Sequence, residues 1–350
     1  MSIVVGRAPA RVSLLGGGTD LPAFYERHGG AVVSMAVTLY AYGQASPRAS
    51  DLELVSLDHS TREIIAPQHF ARRMRPPILA QEFLTYQKAV AWHFGIERGR
   101  LAAASEVPAG VGLASSAAVC VALVMAASRF VGEDMDRRAI AETACRIEMK
   151  VLGRSCGKQD QYAAAYGGIN ALEFFRDGSV EVTPLTLSPE TLARLQGRVM
   201  LFANGARRNA QTVLAEQARR SSSDPETVAA LHRLKEMAYT ARDMLCAGNP
   251  DGVGDMLHEA WEAKRHLNSQ VHTPEIDRVY ALAREAGAIG GKLAGAGLVG
   301  TLLLYCPEDR QDEVRRTLAS QGWRERTIGI DWGGASLCAN IGGPLVLTET

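Results

Sequence analysis

Apolar and polar residues alternate in short runs over the first 60 positions, and turn residues separate these runs. The pattern is typical of β-strands and predicts a mixed sheet with strands at 3–5, 12–15, 31–37, 40–45 and 52–57. Helical periodicity follows at 81–94. A strand-like segment at 101–107 then leads into AVCVALVMAASRF, which is apolar almost all round and indicates a buried helix.

Amphipathic periodicity next predicts a helix at 136–152 and another from 157 to just before Gly167. Two β-rich runs, 169–175 and 180–184, frame a turn and predict a hairpin. The pattern changes after about residue 195. It then predicts a strand in RVMLFANG, helices at 209–220, 224–246, 251–268, 274–287 and 308–321, and a last strand near 325–330.

Strands that flank a set of helices favour an α+β fold for this second part. A chain of 350 residues is long for one core, so we predict two domains, 1–195 and 196–350. Neither a repeat nor a low-complexity linker separates them. We therefore expect the two domains to share a cleft.

Charge and cysteine usage narrow the class of protein. The chain has 38 Lys and Arg residues and 38 Asp and Glu residues, so its formal net charge is zero. No overall positive charge attracts nucleic acid or an anionic membrane. The six cysteines are scattered without a CxxC pair and are typical of reduced core residues. The start MSIVVGRAP lacks the pattern of a signal peptide, and no apolar run is long enough to span a bilayer. We expect a soluble cytoplasmic protein whose partner is a small molecule; its oligomeric state is left open.

The most informative segment is SEVPAGVGLASSAA at 105–118, between a strand and the buried helix. Gly110 and Gly112 can take positive φ and let the backbone approach a ligand. Ser115 and Ser116 fall near the helix N-terminus, where free amides and the helix dipole favour an anion. The segment therefore favours a polyphosphate site, although a packed strand-turn-helix connection uses the same residues.

Three segments together resemble the motifs of the GHMP kinase superfamily: RAPARVSLLGGGTDLPAF, the serine-bearing loop above, and KLAGAGLVG. The segments at 157–170 and 258–277 are most similar to the branch that contains D-glycero-D-manno-heptose 7-phosphate kinase. The resemblance implies a ribosomal-S5-like N-terminal domain, a ferredoxin-like C-terminal domain and ATP with Mg²⁺ bound between them. It also implies transfer of a phosphoryl group to a sugar hydroxyl, with the anomeric oxygen of a heptose 7-phosphate as the expected acceptor.

The resemblance assigns roles residue by residue. Asp160 corresponds to the catalytic aspartate and Arg11 to the arginine that pairs with it, while Ser116 and Glu148 correspond to the Mg²⁺ ligands. The expected ATP-binding residues are Pro108, Gly110, Gly112, Leu113, Ala114, Ser115, Ser116 and Ala117, with the third-motif loop formed by Gly295, Ala296 and Gly297. The expected substrate-binding residues are Gly18, Thr19, Asp20, Lys158 and Arg208.

Plainer interpretations of these residues stay open from the sequence. Asp160 and Asp20 could each be a helix N-cap. Glu148 could be an exposed residue paired with Lys150 or Arg146. Arg207, Arg208, Lys158, Lys264 and Arg265 are candidates for binding a sugar phosphate, but paired basic residues near a helix are also typical of a solvated surface.

The chain also departs from its relatives. Ala114 stands where a glycine is commoner, and Leu298-Val299 replaces further glycines in the third motif. A kinase for another sugar and a sensor that binds sugar and nucleotide without turnover are the alternative functions.

Overall fold

The computed structural model describes residues 2–73, 84–206, 210–265, 273–295 and 300–341. In these residues the chain builds two sheets, one of eight strands and one of four. Within the described residues, no helix is both long and apolar enough to cross a membrane.

The larger sheet is mixed, as predicted, because β3 pairs with β5 in parallel and the other pairs are antiparallel. The two central strands are longer than predicted, because each joins two of the predicted short runs. Where β1 pairs with β2, irregularities between Pro9 and Ala10 and between Ser13 and Leu15 shift the register without ending β1. The strands are β1 (Ile3–Leu15), β2 (Gly30–Ser46), β3 (Leu52–Ser56), β4 (Thr61–Ile65), β5 (Gly99–Ser105), β6 (Ile169–Phe174) and β7 (Val180–Pro184), with β12 (Ser336–Ile341) at the edge beside β1.

Helix α4 (Ser115–Val131) is the buried helix that the apolar run predicts, and it packs on β1 and β2. Gly43 permits this approach, since a Cβ there would lie 2.5 Å from the backbone nitrogen of Leu123. The other helices of this half are α1 (Pro22–His28), α2 (Pro67–Arg73), α3 (Thr85–His93), α5 (Arg137–Arg146) and α6 (Gln159–Tyr166). The single helix predicted at 136–152 is wrong in one respect, because α5 ends at Arg146 and a π-helical turn, Ile147–Val151, follows it.

The smaller sheet is antiparallel, in the order β11-β8-β10-β9. Its strands are β8 (Val199–Ala203), β9 (Gly290–Leu293), β10 (Thr301–Tyr305) and β11 (Arg324–Glu325). The helices of this half are α7 (Pro189–Arg198), α8 (Ala210–Ser223), α9 (Pro225–Cys246), α10 (Pro250–Arg265), α11 (Pro274–Glu285) and α12 (Gln311–Ser320). The sequence pattern did not predict the helices α2 and α7 or the strands β4, β9, β10 and β12. The division at residue 195 stays a prediction.

One apolar cluster joins the two halves. Leu14 and Val33 from the larger sheet share it with Leu231 of α9, Leu257 of α10 and Leu303 of β10, all of them buried. The cleft described below therefore lies between elements that a common core holds together.

Candidate active site

Two adjoining cavities lie beside the glycine loop. The central cavity has a volume of about 160 Å³ and is lined by residues of both halves, including Arg11, Asp160, Lys264 and Lys292. The side cavity, about 520 Å³, is lined only by elements of the first half, from β3, α3 and the loop at Pro108. Ser115, Ser116 and Arg154 line both. A ligand with two chemically different ends could therefore occupy both cavities across the helix start.

An ion pair between β1 and α6 stands in the central cavity. The Nη2 of Arg11 lies 2.5 Å from Oδ1 of Asp160, and Nε donates to the same oxygen at 2.7 Å. The guanidinium also donates to the carbonyl of Gly112 at 3.0 Å. The side chain of Arg11 is therefore buried in an ion pair, and Asp160 makes no capping hydrogen bond in α6. Since all these bonds use Oδ1, the Oδ2 of Asp160 has no partner among the described residues.

The glycine loop reaches α4 through three residues with positive φ: Gly110, Gly112 and Ala114. Ala114 adopts the left-handed conformation at the N-cap, where a Cβ is normally unfavourable. The first backbone bond of α4 runs from Ala118 N to Ala114 O, so the amides of residues 115–117 have no partner in the helix. Free amides at a helix start are suited to an anion, and the predicted phosphate site at this end of α4 stays a prediction.

The two serines of the loop have different surroundings. The hydroxyl of Ser115 donates to the carbonyl of Val107 at 2.7 Å and lies 3.0 Å from the hydroxyl of Ser105, so it ties the loop to the end of β5. Ser116 lines both cavities. Pro108 lines the side cavity, while Leu113 is buried in the apolar core.

The third motif meets the glycine loop through backbone. A Cβ on Gly295 would lie 2.6 Å from Cα of Gly112, and one on Gly112 would lie 2.4 Å from the carbonyl oxygen of Ala294. Both positions also have positive φ, so glycine is required at each. The predicted residues Ala296 and Gly297 lie outside the described residues.

Asp20 is buried at the end of the glycine-rich turn that follows β1. Its carboxylate accepts from the amide of Gly18 at 3.0 Å and from Nε2 of Gln159 at 2.9 Å. The N-cap of α1 is Leu21, so the capping alternative for Asp20 is wrong. Burial, with the nearby charge of Asp160, raises the pKa of Asp20 to about 6. Thr19 is buried and its hydroxyl binds the backbone at Gly16 and Ala31, which gives it a role in holding the turn.

Three buried polar atoms near Asp20 lack a hydrogen-bond partner among the described residues. They are Oγ of Ser13, Oε1 of Gln159 and Nε2 of Gln217, and all three residues line the central cavity. A buried polar atom without a partner costs free energy, so the group is suited to a ligand that carries hydroxyls.

Glu148 lies in the π-helical turn and is 3% exposed. It accepts from the hydroxyl of Tyr86 at 2.6 Å and from Nε2 of Gln161, so the expected alternative of a surface pair with Lys150 or Arg146 is wrong. Burial raises the pKa of its carboxyl. Arg154 holds the same tyrosine through a 2.6 Å hydrogen bond.

These residues fit a magnesium ion. Glu148, Ser116 and the unpartnered Oε1 of Gln161 all line the central cavity and supply hard oxygen donors. Among the residues that the structure describes, no group of three or more His, Cys, Asp or Glu side chains could hold a metal. Mg²⁺ is commonly bound by one or two protein oxygens together with substrate phosphates, so the small donor set suits that mode.

The basic residues predicted for the substrate have different surroundings. The ammonium of Lys158 donates to the carbonyl of Gly178 and lies 5.2 Å from the ring centre of Tyr25, and Lys158 is not among the residues that line the central cavity. Its role in substrate binding stays a prediction. Arg265 pairs with Glu262 and Asp277. Arg207 and Arg208 lie outside the described residues. Of these basic residues, Lys264 is the one within the described ranges that lines the central cavity. Lys292, Gln161 and Gln217 also line it, and the sequence interpretation missed them.

Comparison with known proteins agrees with this architecture. The model of the GHMP kinases N terminal domain matches residues 81–168, and that of the GHMP kinases C terminal domain matches 241–324. The D-glycero-alpha-D-manno-heptose 7-phosphate kinase of Campylobacter jejuni is 24% identical over 92% of this chain and 95% of its own length. A galactokinase of Pyrococcus furiosus is 25% identical over 93% of this chain and 97% of its own.

Solved structures show the same fold. A D-glycero-D-manno-heptose 1-phosphate kinase of Bacteroides thetaiotaomicron superposes with a TM-score of 0.76 at 24% identity, covering 96% of this chain and 99% of that one. Galactokinase of Lactococcus lactis superposes with a TM-score of 0.72 at 18% identity, covering 96% and 94%. The chain belongs to the GHMP kinase superfamily and is a kinase, which confirms the predicted family and fold class.

Proposed function

We propose that this kinase transfers the γ-phosphoryl group of ATP to the anomeric oxygen of D-glycero-D-manno-heptose 7-phosphate. The observation that carries the proposal is the Arg11–Asp160 ion pair, which stands in a cleft beside the anion-binding end of α4. The Campylobacter jejuni relative and the Bacteroides structure, both described by name as heptose phosphate kinases, support the choice of sugar.

In this proposal the nucleoside occupies the side cavity, whose floor includes Pro108, and the phosphates follow the free amides at the start of α4. Ser116 and Glu148 would hold Mg²⁺, which supplies positive charge to the phosphates. The sugar occupies the central cavity, where Asp20 and the unpartnered groups of Ser13, Gln159 and Gln217 bind its hydroxyls.

Asp160 directs the chemical step. Its free Oδ2 accepts the hydrogen of the attacking hydroxyl, either orienting the oxygen or taking the proton. The sugar oxygen forms a bond to the γ-phosphorus as the bond to the ADP oxygen breaks, so the charge on the phosphoryl group is redistributed. Arg11 stabilises that charge and keeps Asp160 in place through the bonds to Oδ1.

A panel of sugars tests the substrate directly. ADP release is measured with ATP and Mg²⁺ for the heptose 7-phosphate, the free heptose, mannose, galactose and fucose, with kcat/KM for each. We expect the heptose 7-phosphate to have the highest kcat/KM by at least tenfold. If the free heptose reacts as well as its phosphate, the substrate is an unphosphorylated sugar; if no sugar stimulates ADP release although ATP binds, the chain is a sensor.

A further inference from the structure

Two buried lysines line the central cavity on the wall formed by α10 and β9. Lys264 is in the last turn of α10, and its ammonium donates to the carbonyls of Leu293, at 3.1 Å, and Gly295. Lys292 is in β9 and is 5% exposed. Its ammonium makes no hydrogen bond or ion pair with any residue that the structure describes.

Another buried lysine of the same chain shows that the lack of a carboxylate partner is unusual. Lys88 is 1% exposed and its ammonium lies 2.8 Å from a carboxylate oxygen of Glu63. An ion pair of this kind is the usual partner for a buried ammonium, because an isolated buried charge is very costly. Neither Lys264 nor Lys292 has such a carboxylate within the described residues.

The neighbouring charge that acts on the pKa values of the pair is also positive. Burial and the guanidinium of Arg11 lower the pKa of Lys264 to about 7. Burial, Lys264 and Arg11 together hold the pKa of Lys292 well below its usual range. The two lysines therefore share the cavity with a third basic group, Arg11, whose acidic partner is Asp160. Such a cluster needs an anion to be charged.

We propose that Lys264 and Lys292 form the subsite for the phosphoryl group in transfer, with Lys292 binding it directly. This assignment rests on the proposed kinase reaction and deepens it. The location supports the γ-phosphoryl group of the nucleotide, because Lys264 binds the backbone of Gly295, which contacts Gly112 of the nucleotide loop, and Arg11 bonds to the same Gly112. A phosphate carried by the sugar would have the same chemistry, and the test separates the two sources.

The lysines should take up protons when the anion binds, because a neutral amine becomes an ammonium beside it. The other charged groups that line the cavity are Arg11, Asp20, Glu148, Arg154 and Asp160. Two of these, Asp20 and Glu148, have raised pKa values and could also bind protons. The number of protons is therefore compared between the parent and the lysine variants, so that the contribution of the acids cancels.

The test is calorimetry at pH 8 in HEPES and in Tris, which differ in ionisation enthalpy, with ADP and with AMPPNP as probes. We expect the parent to take up more protons with AMPPNP than with ADP. Lys292→Met should remove most of this difference and weaken AMPPNP about 10- to 100-fold, with ADP affinity nearly unchanged. Lys292→Arg should recover part of the loss, and Lys150→Met, at an exposed lysine, is the matched control.

Folding does not obscure the result. Replacing an unpaired buried ammonium by an apolar side chain of similar length should keep or raise Tm, whereas a purely structural lysine would lower it. Equal loss of ADP and AMPPNP affinity, or unchanged binding of both, would overturn the proposal. So would a rise in the KM of the sugar phosphate alone, since that result assigns the lysines to the sugar's own phosphate. None of the binding measurements needs a sugar, so a chain that phosphorylates nothing in the panel would refute the proposed function and leave the lysine subsite testable.

Discussion

The central cavity has two unlike walls. On the wall built from β1, the π-helical turn and α6, each acid has partners supplied by the protein: Gln159 for Asp20, Tyr86 for Glu148 and Arg11 for Asp160. On the wall of α10 and β9, Lys264 has only carbonyl oxygens and Lys292 has no partner among the described residues. The acidic wall is therefore preorganised in the free protein, whereas in our proposal a bound anion completes the basic wall.

The largest effect should follow a change on the acidic wall. Asp160→Asn keeps the size of the side chain but removes its charge, so turnover should fall about 100- to 10,000-fold. ATP affinity and Tm should change little, because the carboxylate is partly exposed and caps no helix. Steady-state kinetics with saturating sugar checks this, with Glu142→Gln on the exposed face of α5 as the control. Turnover close to that of the parent would leave Asp160 without a catalytic role.

The second effect concerns the contact between the glycine loop and the third motif. Gly112 has φ of +89° and a Cβ there would lie 2.4 Å from the carbonyl oxygen of Ala294, whereas Gly132 has φ of +90° with nothing within 4 Å of its Cβ position. Gly112→Ala and Gly132→Ala both place an alanine in the left-handed conformation, which costs about 1 to 2 kcal/mol. Only Gly112→Ala should also displace the third motif and weaken ATP binding, measured by calorimetry. Equal ATP affinities in the two variants would mean that the loop contact does not shape the nucleotide site.

A smaller effect is expected for the metal. Ser116→Ala removes an oxygen donor and Glu148→Gln removes a charge, so each should raise the Mg²⁺ concentration needed for half-maximal rate by severalfold. Tyr86 and Gln161 can still bond to the amide at position 148, which limits the structural cost. Titration of activity with Mg²⁺ at fixed ATP gives the comparison. The assignment of both ligands is refuted if the two curves coincide with that of the parent.

The last effect is on stability and is not expected to change turnover. Since burial raises the folded-state pKa of Asp20 from 3.8 to about 6, the unfolded chain ionises first as pH rises, and stability falls between about pH 4 and pH 6. That pKa shift corresponds to about 3 kcal/mol at most. Asp20→Asn should flatten this part of the curve, as followed by urea unfolding at each pH. A variant with the same slope as the parent would show that another group causes it.

The two walls also differ in how far the sequence predicts them. The acidic wall belongs to local motifs: Arg11 and Asp20 stand on one strand and its turn, and Asp160 follows a glycine segment, so pattern and resemblance together select them. Most strands and helices were likewise predictable, because their periodicity is local. The π-helical turn at Glu148 was not, because the sequence there continues the helical pattern and only the backbone bonding, such as the bond from Leu152 N to Ile147 O, reveals the change.

The basic wall depends on tertiary contacts. Lys292 stands in a four-residue strand and Lys264 near a helix end, where a lysine is usually solvated. Their burial follows from the packing of α10 on β9, which no local pattern shows. The one available signal is a lysine inside the short apolar strand just before the third glycine motif. Lys158 shows the converse limit, since its place beside Asp160 in the sequence suggested a role in the cavity, whereas its ammonium binds the carbonyl of Gly178 in the hairpin turn.

The most direct test of the account is the identity of the product. The parent protein is incubated with ATP, Mg²⁺ and the heptose 7-phosphate, and phosphorus NMR follows the reaction, with Asp160→Asn run in parallel. We predict that ADP forms together with one new phosphate signal coupled to the anomeric proton, and that the variant forms neither at a comparable rate. Formation of inorganic phosphate alone, or of a phosphate on another hydroxyl, would contradict the proposed reaction.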